Sequence, residues 1–343
     1  MTVVETAIAP LPYSHVAAMT GSHGIYEHAD HRAPRIGHGY CTDDVARALT
    51  AVVREPERTA ELVGLAGVYL AFLERAVTAN GAVHNRMSPA GDWTDQPSTD
   101  DWWGRAVAGL GAMVRYAPSA GDRARALRAF LRAAGRSSTD VRASAFAAVG
   151  AADVLAALPH LAAARLLLVD CLARIPRHPL ADWGWPEPRL RYANAALCRA
   201  LIVGGDALGE DGTVADGIAL LTALLAIETS PSGHLSLAGT DGRGAGEPGP
   251  LWDQQPIEAA ALADACVAAL AVTGEAHWAR ETLRAWAWFT GDNDAGTVMV
   301  DLATGAGYDG LEPGGRNENC GAESTLAAIS ANQDARLAAR RLA

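Results

Sequence analysis

Seven acidic residues stand at the starts of helical patterns or in the loops before them: Asp43, Asp44, Asp101, Glu187, Glu258, Asp309 and Glu323. Cleavage of a glycosidic bond needs two carboxyl groups, one protonated and one ionised. A funnel that gathers several acids separates their pKa values by burial and mutual repulsion. The neighbours of three of these acids suit a sugar. Asp101 lies in TDDWWGR, where Trp102 and Trp103 offer aromatic faces to sugar rings, and Arg105, four residues on, can orient the acid along one helix face. Glu187 lies in DWGWPEPRLRY, where Pro186 and Pro188 restrict the backbone, Trp183 and Trp185 form an aromatic rim, and Arg191 and Tyr192 follow. Glu323 lies in GRNENCGAEST, with Asn317 and Asn319 as hydroxyl or water ligands and glycines that let backbone approach a ligand. Asp101, Glu187 and Glu323 are therefore the expected catalytic set, with Glu187 as general acid and Glu323 as the base or its holder.

Further contacts are expected from His38, Tyr40 and Asp44 in HGYCTDDVARAL, from Gln255 and Glu258 in WDQQPIEAA, and from Asp309. Pro256 suits a first helical position. Asp43 and Asp44 are adjacent, so one of them at most is expected to face the funnel, and Asp44 with Arg47 fits a structural i,i+3 ion pair. Each opening, taken singly, also reads as a capping motif, because Ser, Thr and Asp are good N-caps and acids favour the positive end of a helix.

Other chemistries lack their parts. His23, His28, His31 and His38 cluster early, with His84 later, but without HExxH order, and GDNDAG lacks the spaced Glu of a calcium loop. No metal and no cofactor are expected. There is no GxSxG and, with no lysine in the chain, no P-loop. The net charge of −11 argues against nucleic acid and anionic membrane as partners. The N-terminal MTVVETAIAPLPYSHV does not read as a signal peptide, and no run of about 18 uninterrupted apolar residues appears. Five dispersed cysteines read as reduced thiols, and a cytoplasmic location is expected.

The elements that must position these residues are helices. Half of the residues are hydrophobic, alanine is abundant, and apolar spacing predicts helices over 11–20, 43–54, 59–79, 102–117, 122–134, 140–157, 159–174, 189–204, 212–228, 256–273, 276–290 and 321–341. Short connections alternate with longer ones. In antiparallel helices alternate connections share an end, so the long loops, which include most of the candidates, share one face. Loops longer than about 12 residues in a compact domain are usually functional. Six polar openings, each after a longer connection, imply six repeats of one hairpin, and the small residues of the helices they begin suit an inner ring.

These features together identify an all-α chain, 1–343 as a single domain, resembling the six-hairpin (α/α)6 glycosidase superfamily. The segments HGYCTDDVARAL, RLRYANA, WDQQPIEAAA, FTGDNDAG and YDGLEPGGRNENCGAEST are similar to a bacterial helical domain that occurs fused to, or assigned as, a glycosyltransferase. That resemblance covers about residues 18–330 and implies an (α/α)6 toroid. The chain has no strand followed by a Gly-rich turn and helix, hence no nucleotide-sugar-binding half of the α/β type. The acid-rich, aromatic funnel suits a glycoside hydrolase; the resemblance implies an inverting one, with carboxyls spaced to admit water, and the expected cytoplasmic location implies short oligosaccharides as substrates. Two alternatives stay open: a sugar epimerase or isomerase using histidines, and a non-catalytic glycan-binding or partner domain of a glycosyltransferase. Oligomeric state is not legible.

Overall fold

Alanine and leucine lose little entropy in a helix, and helices account for most of the computed structural model, which describes residues 8–181 and 183–343. Residues 1–7 of the N-terminal stretch discussed above lie outside the described residues. The described residues form twelve α-helices: α1 (Ser14–Ala18), α2 (Thr42–Arg54), α3 (Ala60–Ala76), α4 (Asp101–Tyr116), α5 (Ala120–Ala133), α6 (Val141–Ala157), α7 (Ala162–Leu172), α8 (Asn194–Leu208), α9 (Asp211–Ile227), α10 (Pro256–Thr273), α11 (Ala276–Phe289) and α12 (Ala322–Leu342). All twelve predicted helices have a counterpart. The largest boundary shifts fall in two of them. The first helix shortens to five residues. The helix expected to start at 189 starts at Asn194, because Arg189 and Leu190 are taken up by a strand pair and Ala193 is left-handed, φ 50°, which an α-helix cannot continue through.

The even-numbered helices pack side by side in the order α2, α4, α6, α8, α10, α12, and α12 returns to α2. That closes an inner ring, and the odd-numbered helices lie outside it. The molecule is an (α/α)6 toroid. Small residues make the inner ring possible: a Cβ placed on Gly111 of α4 would fall 2.6 Å from the Cα of Gly150 on α6, so the two backbones touch. Side-chain caps at Thr59, Ser119 and Asp140 accept the backbone N–H groups of Leu62, Asp122 and Ala143, starting α3, α5 and α6. Among the described helices α10 alone is long and apolar enough to cross a membrane (mean hydropathy 1.6 over Pro256–Thr273). Its place in the inner ring, packed on α8, α11 and α12, accounts for that apolarity. All five cysteines are buried and unpaired.

Because the inner helices run the same way, their N-terminal ends share one face with the long loops. Short antiparallel strand pairs fasten those loops: β1 (Ala29–Asp30) with β2 (Ala33–Pro34), β3 (Tyr40–Cys41) with β4 (Arg86–Met87), β5 (Arg189–Leu190) with β6 (Arg243–Gly244), and β7 (Gly310–Glu312) with β8 (Gly315–Asn317). The β3–β4 pair joins the loop before α2 to the loop before α4. The β5–β6 pair joins the loop before α8 to the loop before α10.

Candidate active site

The N-terminal ends of α2, α4 and α12 and the adjoining loops enclose a cavity of about 440 Å³ at the loop face. Asp43, Asp44 and Arg47 enter it from α2, Asp101 from α4, and Glu323 and Ser324 from α12. One guanidinium organises them. Arg47 donates to Asp44 Oδ1 at 2.7 Å, pairs with Glu323 Oε2 at 2.6 Å, and donates to the Tyr192 hydroxyl at 3.1 Å. That hydroxyl donates to Asp101 Oδ2 at 3.3 Å and accepts from Arg105. The expected Asp44–Arg47 ion pair is present, and the same arginine ties α2 to α12 and to the loop before α8. Arg105 lies behind the cavity, its guanidinium carbon 3.5 Å from the Phe146 ring centroid.

Burial makes these acids unequal. Asp44 is 2% exposed, and desolvation pushes its carboxyl up to about 7 against the pull of Arg47. Asp43 is also pushed up by burial, opposed by Arg47, and one of its oxygens has no hydrogen-bond partner among the described residues. Burial likewise lifts Glu258 to about 7 and Glu228 to about 8. In the fold these groups keep protons that the unfolded chain has released. Their stabilising contribution is therefore full below the ordinary carboxyl pKa and is lost as pH rises through their folded values. The melting temperature is expected to fall between pH 6 and pH 9. Glu228→Gln, neutral at every pH, should flatten that fall. Scanning calorimetry across the range checks this, and a melting temperature that rises toward pH 9 contradicts it.

The predicted site residues divide into three groups. Asp44, Asp101, Tyr192, Gln255, Asp309, Asn317 and Glu323 line the cavity together. Asp43 does so as well, against the expectation that one of the adjacent pair at most would: the cavity wraps around the first turn of α2 and meets both. A second group lies at or behind the rim. His38 is exposed, edge-on to His28 with ring centroids 5.1 Å apart. Arg191 is exposed, and its backbone N–H donates to Asn194 Oδ1 at 2.9 Å. Asn319 accepts the His31 backbone N–H at 2.9 Å. Trp102 donates its indole N–H to the Val83 carbonyl at 2.8 Å, and Trp183 donates to the Glu187 carbonyl at 2.8 Å.

The third group consists of corrections. Trp103 and Trp185 are fully buried and Tyr40 is 1% exposed, stacked on Tyr26, so none of the three can touch a ligand in the mouth. Trp103 instead donates to the Ala133 carbonyl at 3.2 Å and fixes α4 to α5. Glu187, expected as general acid, does not line the cavity. Arg142 grips both of its oxygens, with Nη2 to Oε2 at 2.6 Å, and that arginine also donates to the Tyr192 carbonyl at 3.0 Å. Glu258 is 5% exposed and accepts the backbone N–H groups of Ala193 at 2.5 Å and Asn194 at 3.3 Å. It caps α8 from a neighbouring helix, since Ala193 has no side chain to do so. Asp309, which lines the cavity as expected, also steadies the start of α12 from the loop that precedes it, accepting from Gly321 N–H at 2.7 Å and Ser324 Oγ at 2.9 Å.

Among the cavity residues absent from the expected site are Glu27 and Asp253. Asp253 had a signal, its place in WDQQP; Glu27 had none beyond the histidines around it.

This architecture is that of the six-hairpin toroids. Among solved structures the chain is similar to cellobiose 2-epimerase from Spirochaeta thermophila (14% identity, 95% of this chain and 92% of that one, TM-score 0.69). It is also similar to an α-mannanase from Bacteroides thetaiotaomicron (10% identity, 96% and 95%, TM-score 0.66). A third is an α-1,6-mannanase of a Salegentibacter species, crystallised as an inactive variant with two aspartates changed to alanine, in complex with an α-1,6-linked mannotetraose (11% identity, 95% and 96%, TM-score 0.65). No protein-family model matches the chain, and no curated protein matches it.

Proposed function

We propose that the protein is a glycoside hydrolase acting on short oligosaccharides, with Asp43 as proton donor and Asp101 as the carboxylate that activates water. Glu323, held by Arg47, orients the sugar. The observation that carries this reading is the lining of the mouth: seven carboxyl side chains against one histidine, His28. Glycosidic cleavage uses a carboxyl pair. Asp43 is a partly exposed member whose proton affinity burial raises, which suits the acid. Asp101 accepts a hydrogen bond from Tyr192 on one oxygen and leaves the other without a donor, which suits the base. The solved structures of similar fold include two mannanases, one of them in complex with an α-1,6-linked mannotetraose.

A second reading, sugar epimerisation, is favoured by His28 in the mouth with His38 against it, and by the epimerases among the similar structures. One experiment separates the two. The protein is incubated with α- and β-linked manno-, gluco- and galacto-oligosaccharides and the products are separated by chromatography. Shorter products are expected. Conversion of a reducing disaccharide to an isomer of equal length overturns hydrolysis in favour of epimerisation. Saturable binding with neither product overturns both and leaves a glycan-binding domain.

A further inference from the structure

A second, larger cavity of about 630 Å³ lies on the ring axis behind the mouth. It exists because the inner helices turn alanines toward the axis, among them Ala108, Ala196, Ala260 and Ala327. Along α12 its lining runs from Leu326 to Arg340, about 20 Å at the rise of a helix. Arg47 lines both cavities, so the Arg47–Tyr192–Arg105 cluster is the partition between them.

The two cavities have opposite charge. The mouth is acidic, whereas the axial cavity is lined by seven arginines against four aspartates, in a chain of net charge −11. Helix dipoles explain arginines near the C-terminal ends of the inner helices. They do not explain Arg47 and Arg105, which stand five and four residues into α2 and α4. The Nε–H groups of both are buried and lack an acceptor among the described residues. Asp101 is 3.7 Å from Arg105 Nε, beyond hydrogen-bond distance. About 10 Å deeper by helical rise stands a second tier, where Arg54 and Arg199 pair with Asp264 at 2.9 and 3.0 Å. Between the tiers the wall is mostly apolar, alanines with Phe146, Val149, Ile257 and Leu326, interrupted by Thr50 and Ser330. Apolar walls with a few convergent polar groups, at this volume, are the usual character of a small-molecule site.

We propose that this axial chamber binds an organic carboxylate with a short apolar body, its anionic head toward Arg47 and Arg105 and its body against the alanine wall. Because Arg47 also holds Asp44 and Glu323, such a ligand touches the floor of the mouth from behind and biases the arrangement of its acids. The site is independent of which sugar chemistry the mouth performs.

Isothermal titration of the full chain with sodium hexanoate at pH 7 tests the proposal, with hexan-1-ol as the uncharged control. The expected result is saturable one-to-one binding of hexanoate, at least tenfold tighter than hexan-1-ol. Ala196→Leu, which narrows the chamber, should weaken hexanoate at least tenfold while circular dichroism stays as in the parent. Absence of saturable hexanoate binding to the parent protein overturns the proposal, as does equal affinity for the alcohol, and neither result depends on a variant. Unchanged affinity in a folded Ala196→Leu protein overturns it as well.

Discussion

Asp43→Asn and Asp101→Asn should each slow turnover about a thousandfold, within the range for losing a positioned proton donor or acceptor, while the melting temperature stays near that of the parent. Both side chains border an open cavity and neither is the sole partner of a buried cation: Arg47 keeps Asp44 and Glu323, and Arg105 keeps Tyr192. The contrast with Glu187→Gln makes this diagnostic. Glu187 is clamped by Arg142 beside the start of α8, so its loss should cost stability and leave kcat within tenfold. Steady-state kinetics on whichever oligosaccharide is cleaved, together with thermal scans of the three variants, check the set. A thousandfold loss in Glu187→Gln with parental rates in the other two would return the acid role to Glu187.

The second large effect lies at the other end of the ring. Arg54 is enclosed among the C-terminal halves of the inner helices and donates to Asp264 at 2.9 Å, to Ser330 at 3.2 Å, and to Asp334. Burial acts to raise both acids, but Arg199 and Arg54 outweigh it at Asp264, which is held down. Asp334, buried and facing Asp264, is pushed up. Arg54→Met removes the group that makes this pair tolerable. Breaking a buried ion pair from one side costs about 3–5 kcal/mol, and a loss of that size is expected in urea unfolding followed by circular dichroism. Adding Asp334→Leu should recover most of it, because an apolar replacement of both partners leaves no unpaired charge. A loss under about 1 kcal/mol in the single variant would mean that Arg199 alone neutralises the cluster.

The helices were legible because their signals are local. Apolar spacing, the Pro256 start of α10 and the alternation of short and long connections all lie within one hairpin, and they imply the closed ring. The site was legible only in outline. Asp101, Tyr192 and Glu323 come together as the shared face requires. Which aromatic of a pair faces a ligand is a different matter: Trp102 and Trp103 are equivalent in type, and only the packing of α5 against α4 puts the second in the core. Glu258 misled for a related reason. An acid at a helix start suggests either a ligand or its own cap, whereas this one caps the neighbouring helix, a contact that spans 65 residues. The clamp on Glu187 comes from Arg142, 45 residues away, and no pattern in DWGWPEPRLRY announces it.

The return of α12 to α2 has a bearing on how such a molecule is made. In an open stack of repeats each end frays independently, and partial structures can persist. Here every inner helix has two flanking inner helices, so the first hairpins leave the ribosome with one flank bare until the final helix has been synthesised. Arg54 and Arg47 wait for Asp334 and Glu323, supplied by that last segment. Truncation before α12 should therefore yield an aggregation-prone chain rather than five-sixths of a ring, because the seam is where the apolar interior and its ionic partners are completed together.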